Sequence, residues 1–200
     1  TFTQDGFHHV TEALAGGNGC IFALPHLGGW EWAGRWMTDQ GYPLTVVVEA
    51  LEPPELFEWF SDLRKELGMT VVPTGPKAGP AVLAALRANQ IVCLLCDRDI
   101  ERHGVAVDFF GEQTTLPAGP ATLALRTGAP ILPVGCYFTP RTNGHHALVR
   151  PPLPLTRLGG LREDVARITQ LLAYELEFLI RRSPEQWHLF QPNWPSDPGY

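Results

Sequence analysis

Short runs of unbroken apolar residues recur along this chain, with stretches of helical periodicity between them. Residues 20–25, 44–50, 91–96 and 131–138 are short for helices and read as apolar strands. The β-branched run Leu44-Thr45-Val46-Val47-Val48 reads as a strand buried on both faces, the situation in a parallel sheet covered by helices. Further strands are read at 70–73, 105–110 and 145–150, the second ending at Gly111. Helices are read at 3–15, 30–40, 54–67, 79–89, 117–127 and 161–182, with prolines opening the third and Gly68 and Gly128 closing the third and fifth. Strand and helix alternate nearly throughout, which predicts one α/β domain over 1–200. Its expected form is a single αβα sandwich around a central, mostly parallel sheet.

In open sheets of this kind, sites gather beyond the carboxyl ends of the strands. His26, Glu49 and Asp97 each fall at or just past such an end, so three strands deliver polar groups to one edge. The first of them opens the motif His26-Leu27-Gly28-Gly29-Trp30-Glu31. An imidazole can take a proton near neutral pH, and a carboxylate on one ring nitrogen leaves the other facing a substrate hydroxyl. Glu31, on the first turn of the next helix, is the expected carboxylate. The two glycines are expected to let a substrate approach the backbone. The plainer alternative is a helix start whose acidic first turn complements the dipole.

Other segments carry two readings each. Asp97-Arg98-Asp99, with Glu101 close by, is either a solvated loop with an internal ion pair or a polar wall that orients a polyol or headgroup. Thr114 and Thr115 precede a helix, so one is expected as its N-cap, and both are candidates to line the site. Arg64 is either solvated or placed to bind a phosphate or polarise a carbonyl. The histidine pairs His8-His9 and His145-His146 lack partners at metal-ligand spacing and read as surface residues. No serine-hydrolase elbow, phosphate loop or dinucleotide fingerprint is present.

Composition narrows the partners. The chain has 200 residues with 44% hydrophobic and only 18% charged, six Trp, and a net charge of −6. That balance argues against nucleic acid held by bulk charge and suits apolar surface offered to a lipid or membrane. Cys20, Cys93, Cys96 and Cys136 lie in apolar runs and read as buried thiols in a reducing compartment, not as a metal site. No run of eighteen apolar residues exists, and no signal peptide is read. Because the chain starts at Thr1, it is read as the ordered part of a longer protein.

Taken in order, several motifs resemble the bacterial lipid A lauroyl/myristoyl acyltransferase family over nearly the whole chain. They are His26…Glu31 after a strand, Asp97-Arg98-Asp99, Phe109-Phe110-Gly111, Thr114-Thr115-Leu116-Pro117-Ala118-Gly119 and Thr127-Gly128-Ala129-Pro130-Ile131-Leu132-Pro133-Val134. Within the family the chain is most similar to the actinobacterial members that acylate phosphatidylinositol mannosides. It departs from the family's pattern in having Glu31 where aspartate is usual, and Glu49 where an arginine-rich segment often follows.

The resemblance implies a glycerol-phosphate-acyltransferase-like fold, a fatty acyl-CoA donor (palmitoyl-CoA) and a mannosylated phosphatidylinositol acceptor. It implies that His26 deprotonates a mannose hydroxyl while Glu31 orients it. Arg64 then contacts the donor, and Glu49, Asp97, Arg98, Asp99, Glu101, Thr114 and Thr115 shape the substrate pocket. No metal or cofactor is called for, since a general base makes the nucleophile. The implied location is peripheral, at the cytoplasmic face of the plasma membrane. The apolar face carrying Phe2, Phe7 and Val10 predicts separately that the N-terminal helix lies on that surface. The alternatives are a same-fold acyltransferase with another glycolipid or glycerol phosphate as acceptor, and a non-catalytic lipid-binding protein.

Overall fold

A computed structural model describes residues 1–49, 52–100 and 102–200, and in it the apolar runs form the inner strands of a seven-stranded sheet. In chain order the elements are β1 (Phe2–Asp5), α1 (His8–Ala15), β2 (Cys20–Leu24), α2 (Trp30–Asp39), β3 (Leu44–Val48), α3 (Pro54–Glu66), β4 (Thr70–Pro73), α4 (Ala78–Arg87), β5 (Ile91–Leu95), β6 (Val105–Phe109), β7 (Glu112–Leu116), α5 (Gly119–Thr127), β8 (Ile131–Phe138), β9 (His145–Val149) and α6 (Leu161–Arg181). A single 3-10 turn, Pro184–Gln186, follows. The sheet order is β1-β9-β8-β2-β5-β3-β4, with β6 and β7 forming a separate hairpin. Every neighbouring pair in the large sheet is parallel except β8 with β9. The αβα sandwich expected from the alternation is therefore the architecture of the chain.

The inner strands are apolar throughout because both faces are covered. In β2, Ile21 and Ala23 join one core with α4, α5 and α6, while Cys20, Phe22 and Leu24 join a second core with α1 and α2. Cys93 and Cys96 face opposite cores, so they do not act as a pair. All four thiols are free, and burial pushes those of Cys20 and Cys136 up to about 12.

Three expectations change. Residues 2–5 form a strand, not the start of a helix, because β1 pairs in parallel with β9. Gly6, at φ +74°, then turns the chain so tightly that a Cβ there would lie 2.0 Å from the Val149 carbonyl oxygen. The membrane-facing role given to this segment fails with it. Val10 is buried, Phe2 stacks on Trp36, and Phe7 packs edge-on against Trp36 and Tyr42, so all three point into the molecule. Thr114 and Thr115 are strand residues of β7, and α5 begins at Gly119 without a side-chain cap. The turn ahead of them, Phe110-Gly111, has φ +57° and +86°, which folds β6 directly onto β7.

Candidate active site

Strand register brings the central pair together. β2 and β5 run in parallel with Leu24 beside Leu95, so two residues further on His26 stands beside Asp97, one strand spacing of ~4.8 Å away. His26 Nδ1 lies 2.7 Å from Asp97 Oδ1. The backbone N–H of His26 and the indole N–H of Trp187 both donate to Oδ2, at 2.9 and 2.7 Å. Asn193 Nδ2 donates to the Asp97 carbonyl at 3.0 Å. Asp97 is 0% exposed. Burial alone raises its pKa, but the hydrogen bonds from His26 and Trp187 outweigh this and hold it below the usual carboxylate range. An ionised carboxylate only accepts hydrogen bonds, so His26 carries its proton on Nδ1 and presents a basic Nε2. Nε2 has no hydrogen-bond partner among the described residues. Such an arrangement can take a proton from a hydroxyl and stabilise the imidazolium that results.

The carboxylate on His26 is thus Asp97 and not Glu31. Glu31 holds Arg64 instead, with Nε at 3.1 and 3.2 Å and Nη2 at 2.5 Å. The physical reason is direction. From the first turn of α2, Glu31 faces α3, whereas Trp30 turns its ring edge-on to His26 at 5.7 Å. The glycines also have a packing role. Gly28, at φ +59°, rides on β8 so closely that a Cβ would come within 2.2 Å of the Cys136 carbonyl oxygen. A Cβ on Gly29 would lie 2.9 Å from His145 Nδ1.

The remaining candidates divide. Glu49 and Arg98 form a half-buried ion pair at 2.5 Å along the same edge. Asp99 accepts from the Gly104 N–H at 2.6 Å and from Thr115 Oγ1 at 2.8 Å, so both are occupied in tying the β6–β7 hairpin to the end of β5. Thr114 is buried and donates to the Asn193 carbonyl. Glu101 lies outside the described residues.

Beside the dyad, a narrow apolar cavity of about 80 Å³ opens between α2 and the sheet. Its floor takes one residue or more from six adjacent strands, including Val46, Cys93, Phe22, Val134, Ala147 and Phe2. Trp30 forms part of its wall as well as touching His26, which puts the cavity next to the base. The Glu31–Arg64 pair supplies the charged groups of the lining among the described residues.

Trp30 stood in the first motif without an assigned role, and the motifs missed Trp187 and Asn193. Their signal was the aromatic and amide content of the segment after α6, Gln186-Trp187-His188-Leu189-Phe190-Gln191-Pro192-Asn193-Trp194. In the structure it returns to the sheet edge, where the His188 N–H donates to the His26 carbonyl at 2.8 Å.

Comparison with known proteins adds four findings. The family model for bacterial lipid A biosynthesis acyltransferases matches residues 1–196. A phosphatidylinositol mannoside acyltransferase of Mycobacterium tuberculosis is 43% identical over 195 residues, covering 96% of this chain and 60% of that protein. The protein of the same name from Mycolicibacterium smegmatis is 43% identical over 192 residues, covering 94% of this chain and 61% of its own length. A lipid A biosynthesis acyltransferase of Haemophilus influenzae is 24% identical over 186 residues, covering 91% and 55%. The chain therefore spans about 60% of the length of these two mycobacterial relatives.

Proposed function

This chain belongs to the bacterial lipid A biosynthesis acyltransferase family, and from that premise we propose that it transfers a fatty acyl group from acyl-CoA to a mannose hydroxyl of a mannosylated phosphatidylinositol. The observation that carries the reading is the His26–Asp97 contact, with Asp97 fully buried and His26 Nε2 unpartnered beside an apolar cavity. The names of the two mycobacterial relatives support the acceptor.

In this mechanism the acyl chain lies in the cavity, with its thioester at the Trp30 end. His26 Nε2 accepts the hydroxyl proton as the mannose oxygen attacks the thioester carbon. The carbon–sulfur bond then breaks, and the imidazolium returns the proton to the departing CoA thiolate. Asp97 fixes the tautomer at the start and stabilises the imidazolium midway. Arg64, held by Glu31 on the cavity wall, offers positive charge to the donor. The cavity's lining, apolar apart from Gln4 and the Glu31–Arg64 pair, suits a fatty acyl chain such as palmitoyl. No metal or cofactor enters the mechanism, because the base makes the nucleophile.

The proposed location is the cytoplasmic face of the plasma membrane. The proposed contact is peripheral; among the described residues no helix is long and apolar enough to cross a membrane. Leu56 and Trp59 share one face of α3 and are 41% and 61% exposed, and Phe190 is 86% exposed. Such side chains suit a membrane interface.

The test is His26→Ala, assayed by release of free CoA thiol in the presence of a mannosylated phosphatidylinositol. Loss of a general base predicts a fall of about 10²–10⁴-fold. Turnover equal to the parent's would reject His26 as the base. Binding of acyl-CoA by the parent without any turnover would favour a lipid-binding protein instead.

A further inference from the structure

Two strands along from His26 lies a second groove, lined by Trp32, Phe138, Thr139, Arg141, Asn143 and His145. It occupies the same carboxyl edge of the sheet. β8 is the neighbour of β2 and β9 the neighbour of β8, so Phe138 stands about 5 Å and His145 about 10 Å of sheet away from the His26 strand. The Gly28-Gly29 link runs between the groove and the dyad. Side chains at those positions would collide with the Cys136 backbone and with His145 and Phe138.

The groove has the composition of a carbohydrate site. Trp32 and Phe138 are 56% and 46% exposed, and each ring neighbours that of His145, with centroids 6.1 and 5.5 Å apart. These are apolar faces on which the C–H face of a sugar ring can lie. Opposite them the β8–β9 turn supplies polar groups. It is pinned by the Thr139 N–H donating to the Gly144 carbonyl and the Gly144 N–H donating to the Arg141 carbonyl, both at 2.9 Å. Arg141 has no carboxylate partner among the described residues, and His145 Nδ1 is buried with no hydrogen-bond partner there. An exposed guanidinium with no carboxylate partner beside aromatic faces favours a ligand with hydroxyls over a purely apolar one.

We propose that this groove binds the ring of the acceptor headgroup next to the one being acylated, stacking it on Trp32 and Phe138 and hydrogen-bonding its hydroxyls to Arg141 and Asn143. The inference rests on the acceptor proposed above. It makes the groove a specificity determinant that acts on acceptor binding and leaves the chemical step alone.

The experiment compares Trp32→Ala and Arg141→Ala with the parent in acyl transfer to a mannosylated phosphatidylinositol, with donor and acceptor varied separately. Both positions are exposed, so thermal melts should match the parent. The expected result is an acceptor KM raised five-fold or more in each variant, with kcat and the acyl-CoA KM within two-fold. A soluble mannose disaccharide should inhibit the parent competitively against acceptor and inhibit the variants less. An unchanged acceptor KM overturns the inference while leaving the proposed function in place. So does a loss of vesicle partitioning that accounts for the whole KM change, which would make the patch a membrane contact. Absence of transfer to any mannosylated lipid by the parent would instead remove the proposed function itself.

Discussion

A carboxylate with no solvent exposure persists only when its oxygens are partnered, because the desolvation of a bare buried charge is prohibitive. Asp97 meets that requirement with the His26 ring on Oδ1 and two N–H donors on Oδ2. The same bonds that keep it ionised also orient the His26 imidazole, so stability and the proposed chemistry are coupled at this residue. Its depressed pKa sets a sign. The stabilisation is fully present above the unfolded value of ~3.9 and is lost as pH falls through the lower folded value. Asp97→Asn should therefore flatten the acid limb of a stability-against-pH curve, and leave no pH-dependent difference from the parent between about pH 5 and 8 through this group. Its amide can also hold the wrong imidazole tautomer, so kcat should fall by about 10³–10⁴-fold. Glu31→Gln is the control, since Glu31 serves Arg64; it should cost under about ten-fold in kcat, and equal losses in the two variants would contradict the assignment. Both carboxylates and the histidine were legible as candidates in the sequence. Their pairing was not, because proximity along the chain favoured Glu31 and only the register of β2 on β5 brings Asp97 across.

At the scale of elements, the inner strands were readable because burial on both faces removes polar residues from them. The edge strand β1 was not, since its four residues, Phe-Thr-Gln-Asp, carry little apolar signal and gain their order from pairing with β9. The β6–β7 hairpin was half read for a related reason: Glu112-Gln113-Thr114-Thr115 resembles a polar loop until its partner strand is known. The loop after β2 shows how tightly an element can constrain a site residue. Gly28→Ala would require a side chain at φ +59° with its Cβ 2.2 Å from a backbone oxygen, where nothing flexible can yield. Strain of this kind costs on the order of 1–3 kcal/mol before the clash is counted. The loop should relieve it by moving off β8, carrying His26 with it. The expected outcome is a lowered melting temperature together with a kcat loss larger than the unfolded fraction explains. A variant with parental kcat at a temperature where it is fully folded would show that the loop's path is not needed for catalysis.

Across the whole molecule, the two cores differ in kind. The face under α4, α5 and α6 is filled by large side chains such as Ile168, Leu172 and Leu176, while the face under α2 leaves a cavity spanning six strands. Sequence alone cannot show this difference, because both faces draw on the same residue types and only their packing separates a filled core from a hollow one. A cavity forgoes contacts that would stabilise the fold, and this one, lined by apolar side chains beside His26, suits an apolar occupant. If the acyl chain is that occupant, filling the space should shorten the chain that fits. Ala33 lies on α2 at the cavity wall and is partly buried. In Ala33→Leu the added side chain enters existing space, so the overpacking cost of about 1–3 kcal/mol should be largely avoided and the melt should stay near the parent's. Turnover of palmitoyl-CoA should drop several-fold while turnover of decanoyl-CoA is retained, reversing the preference for long chains. Equal losses with both donors in a folded variant would mean that the acyl chain runs elsewhere, and that the cavity serves a purpose other than measuring it.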